Sequence, residues 1–190
     1  YYDDMNAKFE DGYFPITISN IDDKRVSANV AYLTMEVRAR KNFSILDRTE
    51  VQRLNFKGTR ITGVTLRSPA GEFTISANQV IVCSGALHSP AILMRSGIGP
   101  AAHLSGLGID VVADRAGVGQ NLMEHPGVSI ASYMKRPARL PKGMRRQMIA
   151  CMRYSSGVEG CGPGDMFIVP TNKSAWHPLG DRIGATMVWV

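Results

Sequence analysis

A chain of 190 residues, 44% hydrophobic and 20% charged, has room for one full domain or a domain plus part of another, which excludes a disordered segment. Its formal net charge of +6 is compatible with a phosphate-bearing ligand, but the basic residues gather between Lys135 and Arg146, around Pro137 and Pro141 and without aromatic neighbours. A nucleic-acid groove needs stacking platforms, so this stretch reads as an exposed loop and no nucleic-acid partner is expected.

No apolar run approaches the ~20 residues of a membrane span, so none is expected. Cys83, Cys151 and Cys161 lack the short paired spacing of zinc ligands, and no metal is expected. Cys83 lies in an apolar run and is expected to be a buried thiol. The odd cysteine count and the lack of a signal peptide point to a reducing, cytoplasmic compartment. The chain opens at Tyr1 without a methionine and stops within the strand-like run Ala185 to Val190, which suggests a piece cut at both ends.

In chain order, residues 1–24 read as an irregular lead-in interrupted by Gly12 and Pro15. Val26, Val30, Leu33 and Val37 recur at helical spacing and predict one helix over 25–40, with Arg38, Arg40 and Lys41 complementing the dipole at its end. Strands are expected at Phe43 to Leu46 and Glu50 to Phe56, then a hairpin of Ile61 to Leu66 with Glu72 to Ile75. Val80 to Cys83 reads as a strand buried on both faces. Ser89 is the expected N-cap and Pro90 the first residue of the next helix, which Gly97 ends in the left-handed conformation. A short helix at Pro100 to Leu104 and strands at Ile109 to Val112, Val128 to Met134, Met166 to Val169 and Thr186 to Val190 complete the chain. The composition changes near Pro126, where a compact pattern gives way to scattered strands and long loops.

The strand, the small turn Ser84-Gly85-Ala86 and the following helix form the candidate site. Small residues at the carboxyl end of a strand let a ligand approach the backbone, and a helix N-terminus favours an anion. The same pattern also serves as an ordinary strand-to-helix connection.

Gly85-Ala86-Leu87-His88-Ser89-Pro90, continuing through Met94-Arg95-Ser96-Gly97-Ile98-Gly99-Pro100, closely resembles the second signature of the glucose–methanol–choline (GMC) oxidoreductases, of choline dehydrogenase-like type. Gly117 to Pro126 resembles the segment of that family ending in Asp-His-Pro, with Glu124 in place of the aspartate. Arg25 to Leu33 resembles the helix before the strand that reaches the FAD adenine.

The resemblance implies an α/β fold: part of a Rossmann-like FAD-binding domain over 25–126 and the start of an antiparallel-sheet substrate domain over 127–190, with 1–24 on the substrate side. It implies FAD as cofactor and oxidation of an alcohol to a carbonyl by hydride transfer to the flavin. Val51 would meet the adenine through its backbone, Ser84, Gly85 and Ala86 would line the cofactor, and Ser89 would cap the adjoining helix. Ser96, Gly97 and Gly99 are expected to be scaffold. Asn121, His125 and Pro126 complete the signature positions, and His125 is expected to hold a loop or to meet substrate.

The glycine motif that cradles the FAD pyrophosphate and the catalytic histidine belong, by this resemblance, upstream and downstream of the chain, so no catalytic residue is assigned. His177, which superficially echoes the catalytic motif, is expected to be a decoy. The expected partner is a small-molecule alcohol, with self-association through an exposed sheet face. The chain alone is expected to be inactive. The rival readings are a non-catalytic folded module and a piece of another two-dinucleotide flavoprotein.

Overall fold

The computed structural model describes residues 1–22, 24–139, 148–171 and 185–189. His177 and most of the basic run after Arg139 lie outside the described residues.

The chain divides into two compact units, one formed by Lys41–Glu124 and one by Tyr1–Arg40 together with His125–Val190. Residues 25–40, grouped by sequence with residues 41–126, thus share contacts with the discontinuous unit.

That unit begins with β1 (Gly12–Pro15), a two-residue ladder of β2 (Asn20–Ile21) and β3 (Lys24–Arg25), and the short helices α1 (Ala28–Tyr32) and α2 (Met35–Arg38). The single helix expected over 25–40 is therefore two. Ser27 Oγ accepts the Val30 N–H, and Thr34 Oγ1 accepts the Val37 N–H, each at 3.4 Å. A hydroxyl that caps a new turn competes with continuation of the old one, and Thr34 breaks the helix this way. Arg38 spans the break, donating from Nε to the Leu33 carbonyl at 2.8 Å and from Nη2 to Asn29 Oδ1.

The continuous unit carries β4 (Glu50–Lys57), β5 (Arg60–Ser68), β6 (Gly71–Ser76), α3 (Gly85–Arg95), β7 (Ile98–Gly99), α4 (Ala101–Gly106) and β8 (Ala113–Asp114). β4, β5 and β6 form an antiparallel sheet with β5 in the middle, so the hairpin expected around Pro69 to Gly71 is present. Phe43 to Leu46 forms no strand.

Neither does Val80 to Cys83, where Ile81 is 79% exposed and Cys83 is an exposed rather than a buried thiol. A strand buried on both faces requires neighbours on both edges, and among the described residues none pairs with this run. The strand expected at Ile109 to Val112 is replaced by β8, parallel to β7. The Gly97 carbonyl accepts both the Val112 and Ala113 N–H groups, at 2.8 and 3.1 Å, and so sets that register.

The discontinuous unit resumes with β9 (Ser129–Tyr133), β10 (Ala150–Tyr154), β11 (Met166–Pro170) and β12 (Ala185–Trp189). Its antiparallel sheet has the order β1-β10-β11-β12-β9. Register places Phe14 opposite Cys151, and these residues form the core with Val169, packed by Tyr2, Met5 and Ile16. The opposite face presents Tyr13, Met152 and Tyr154, all exposed.

Among the described residues, no helix is long and apolar enough to cross a membrane, and no cluster of metal-ligating side chains occurs.

Candidate functional site

The Ser84–Ala86 turn opens α3. Gly85 adopts φ +82°, a left-handed value that favours glycine, and a Cβ added there would meet nothing within 4 Å. Ser84, Gly85 and Ala86 are all exposed. The backbone ahead of the helix is therefore open to a ligand.

Ser89 is not the N-cap expected of it. Ser84 occupies that position, and Pro90 lies inside the helix. The reason is local: the Ser84 N–H donates to Ser89 Oγ at 2.9 Å, folding the turn onto the helix before the proline is reached. Ser89 thus satisfies an exposed N–H of the helix start from within the helix.

The other end of α3 docks on the outer edge of β4. Ser96, buried at 7% exposure, accepts the Leu54 N–H at 2.8 Å through Oγ and donates to the Ile92 carbonyl at 2.6 Å. Arg95 donates from Nε to the Gln52 carbonyl at 3.1 Å and from Nη2 to the Val51 carbonyl at 3.4 Å. Val51 pairs with Leu66 and Arg53 with Thr65, which leaves Gln52 as the extra residue of a β-bulge. Gln52 Nε2 is buried and has no hydrogen-bond partner among the described residues. A cleft of about 540 Å³ adjoins this edge, with Arg53, Arg95 and Asp110 among its lining residues.

Gly97 and Gly99 have packing reasons for being glycine. At Gly97, with φ +83°, a Cβ would lie 2.4 Å from the Asp110 carbonyl oxygen, and at Gly99 it would lie 3.0 Å from Met94 Cγ. Asn121 holds φ +55°, and Asn121, Glu124, His125 and Pro126 are all exposed. That block runs across the division between the two units, which falls between Glu124 and His125.

The Ser84–Ala86 turn thus stands at the start of α3, while the Arg95 side chain reaches Val51 from its end, α3 itself being roughly 16 Å long at ~1.5 Å per residue. Sequence reasoning did not single out Arg95 or Gln52, because neither occupies a required position of the signature. The one available signal was that Arg95 directly precedes Ser96.

Residues 2–127 match the model of the GMC oxidoreductase family, and the chain belongs to that family. Among its relatives, the 5-(hydroxymethyl)furfural oxidase of Methylovorus sp. (strain MP688) is 42% identical over 170 residues, covering 87% of this chain and 32% of that protein. The oxygen-dependent choline dehydrogenase of Staphylococcus saprophyticus is 36% identical over 143 residues, covering 75% of the chain and 25% of that protein. The crystal structure of pyridoxine 4-oxidase from Mesorbium loti superposes with a TM-score of 0.69 at 26% identity, over 94% of this chain and 36% of that one. The chain spans about a third of the length of these relatives, or less. Its mixture of helices and strands is that of an α/β protein, as the superposition requires.

FAD is the cofactor of this family, and the residues present fit it in two respects. The Val51 carbonyl is on a strand that is at the edge of its sheet among the described residues, and it accepts from Arg95 across that edge at a long 3.4 Å, so it is open to an adenine amine approaching from the same side. The exposed Gly85 turn offers backbone unobstructed by a side chain.

Proposed function

We propose that the chain is the adenine-side part of an FAD-dependent oxidoreductase that converts a primary or secondary alcohol to a carbonyl compound. The observation that carries this is the 42% identity to an oxidase named for a hydroxymethyl substrate, sustained over 87% of the chain. The named substrates of the other two relatives, choline and pyridoxine, also carry CH–OH groups.

Bound FAD would supply the acceptor for the hydride leaving the alcohol carbon. The chain's own residues bind and orient. The Val51 backbone receives the adenine edge, and Ser84, Gly85 and Ala86 line the cofactor at the start of α3. Ser89 supports them by holding the Ser84 N–H. Ser96, Gly97 and Gly99 hold the scaffold, and no residue of the chain is assigned to proton abstraction.

The FAD-binding portion comprises residues from about 41 to about 126, and a substrate-side portion comes after it. The grouping of Tyr1–Arg40 with His125–Val190 supports placing the lead-in, and residues 25–40 with it, on the substrate side. The exposed Tyr13, Met152 and Tyr154 favour self-association of the isolated chain, which sedimentation would detect as a concentration-dependent mass. The cysteine usage favours a reducing, cytoplasmic compartment.

The test is a visible absorption spectrum of the purified chain, before and after excess FAD is added and unbound cofactor removed. A colourless chain, with alcohol-dependent flavin reduction in the longer gene product, is expected. Flavin retained by the chain alone would overturn the assignment of the main phosphate contacts to other segments. Loss of alcohol-dependent reduction in the longer product would overturn the activity.

A further inference from the structure

We propose that Arg95 is a positioning residue for the adenine end of the cofactor, acting through the bulge of β4. The inference rests on the assignment of the Val51 backbone to the adenine and deepens it.

A β-bulge breaks the regular ladder and leaves its extra residue unpaired by the neighbouring strand. Here that residue is Gln52, next to the backbone that is to receive the adenine, and among the described residues β4 has a neighbouring strand on one side only. The sheet registers Val51 against Leu66 and Arg53 against Thr65 but gives Gln52, between them, no partner position on β5. Arg95 holds this stretch from the last turn of α3, bonding two successive carbonyls with one guanidinium. Ser96 then fixes the Leu54 N–H two residues further on. Adjacent residues of one helix end thus hold three points of one strand.

The chemistry of the side chain explains why arginine stands there. Its planar fork carries donors at fixed angles and reaches two acceptors together, whereas a lysine ammonium is a flexible point donor. The bond to the Val51 carbonyl is the longer of the two, so that oxygen remains able to accept from a ligand. Arg95 therefore orients the acceptor without consuming it, and its effect is confined to the adenine half of the dinucleotide.

The experiment uses the intact gene product that contains the chain, stripped of flavin, with ADP and FMN as separate probes for the two halves of FAD. Calorimetric titration compares the natural protein with Arg95→Lys and Arg95→Met, and thermal unfolding of each apoprotein is measured alongside. Positioning predicts that Arg95→Met weakens ADP on the order of tenfold and leaves FMN affinity unchanged, with Arg95→Lys between the two. Equal loss of ADP and FMN affinity, or unchanged ADP affinity in both variants, overturns the proposal. Should Arg95→Met not fold, Arg95→Lys decides by the same comparison. Val51→Pro separates the two levels of inference. If the natural protein binds ADP no better than GDP and Val51→Pro has no effect, the Val51 assignment fails and the role of Arg95 falls with it. If Val51→Pro abolishes ADP binding while the Arg95 variants retain it, only the role of Arg95 fails.

Discussion

The Leu54 N–H and the Ser96 hydroxyl, 42 residues apart in sequence, meet at 2.8 Å in a buried contact that joins the edge of β4 to the end of α3. The same hydroxyl donates to the Ile92 carbonyl at 2.6 Å, so both of its roles are used. The serine of the Ser-Gly-Ile-Gly signature is therefore a bridge between strand and helix.

Removing that hydroxyl strands a buried donor. In Ser96→Ala the Leu54 N–H loses its partner, at a cost of about 1–3 kcal/mol. The urea midpoint of the purified chain should fall accordingly. An unchanged midpoint would show that the bridge contributes nothing.

Two glycines with similar backbone angles should respond very differently to alanine. Gly97 has φ +83° and Gly108 has φ +71°. At Gly108 a Cβ meets nothing within 4 Å, so Gly108→Ala carries only the left-handed penalty of roughly 1–2 kcal/mol. At Gly97 the same atom would sit 2.4 Å from the Asp110 carbonyl oxygen and 2.8 Å from Val112 Cγ2. Gly97→Ala should therefore cost about 3 kcal/mol or more, because backbone must move. Equal midpoints for the two variants would contradict this account.

The local chemistry of this region was legible in the sequence, and its long-range chemistry was not. The hairpin of β5 and β6 showed itself through alternation and a Pro-Ala-Gly turn, and the end of α3 through Gly97, because both depend on neighbours in sequence. The run Val80 to Cys83 has the composition of a buried strand, but pairing depends on partners that composition does not reveal. The apolar period over 25–40 continues past Thr34, and only the hydroxyl of Thr34, by starting a new turn, divides that helix. β1 escaped notice because its four residues begin with Gly12 and end with Pro15, which an edge strand tolerates. Ser84, Gly85 and Ala86 were legible as a small turn ahead of a helix, and Val51 through the family resemblance. Arg95 was not, since its role arises from a bulge 43 residues away.

Arg153 is a buried cation at 9% exposure, and it holds the start of the chain. Its guanidinium lies 4.2 Å from the Phe9 ring centroid and donates to the Lys8 and Met5 carbonyls at 2.8 and 2.9 Å. Lysine cannot reproduce this divided donation, so Arg153→Lys should cost about 1–3 kcal/mol. Trypsin should then cut after Lys8 faster than in the natural chain. Unchanged cleavage would mean that the segment is held by other contacts.

The three thiols should separate by reactivity. Cys83 and Cys161 are exposed, while Cys151 has no exposed surface and lies 3.8 Å from the Phe14 carbonyl. Burial pushes the Cys151 thiol up, against an opposing pull from Arg153, so less of it is the reactive thiolate. Brief alkylation of the native chain, read by peptide mass, should label Cys83 and Cys161 first. Labelling of Cys151 at the same rate would show that the core opens readily.

The Asp165 carboxyl should govern a turn in acid. Its oxygens accept the Ser156 hydroxyl at 2.5 Å and the Ser156 N–H at 2.8 Å, and these bonds hold it below the usual carboxylate range. A depressed folded value means that the carboxylate's contribution is fully present above the unfolded value of about 3.9 and is lost as pH falls through the folded one. The group is exposed, so global stability should barely register the loss and the turn itself is the place to look. In the natural chain the Ser156 amide resonance should titrate below pH ~4, where the hydroxyl and amide lose their charged acceptor. Asp165→Asn keeps an acceptor of similar shape without a charge, so this titration should vanish and the amide should exchange faster at neutral pH. If the resonance titrates at or above the ordinary aspartate value, or persists unchanged in Asp165→Asn, the carboxylate does not hold the turn.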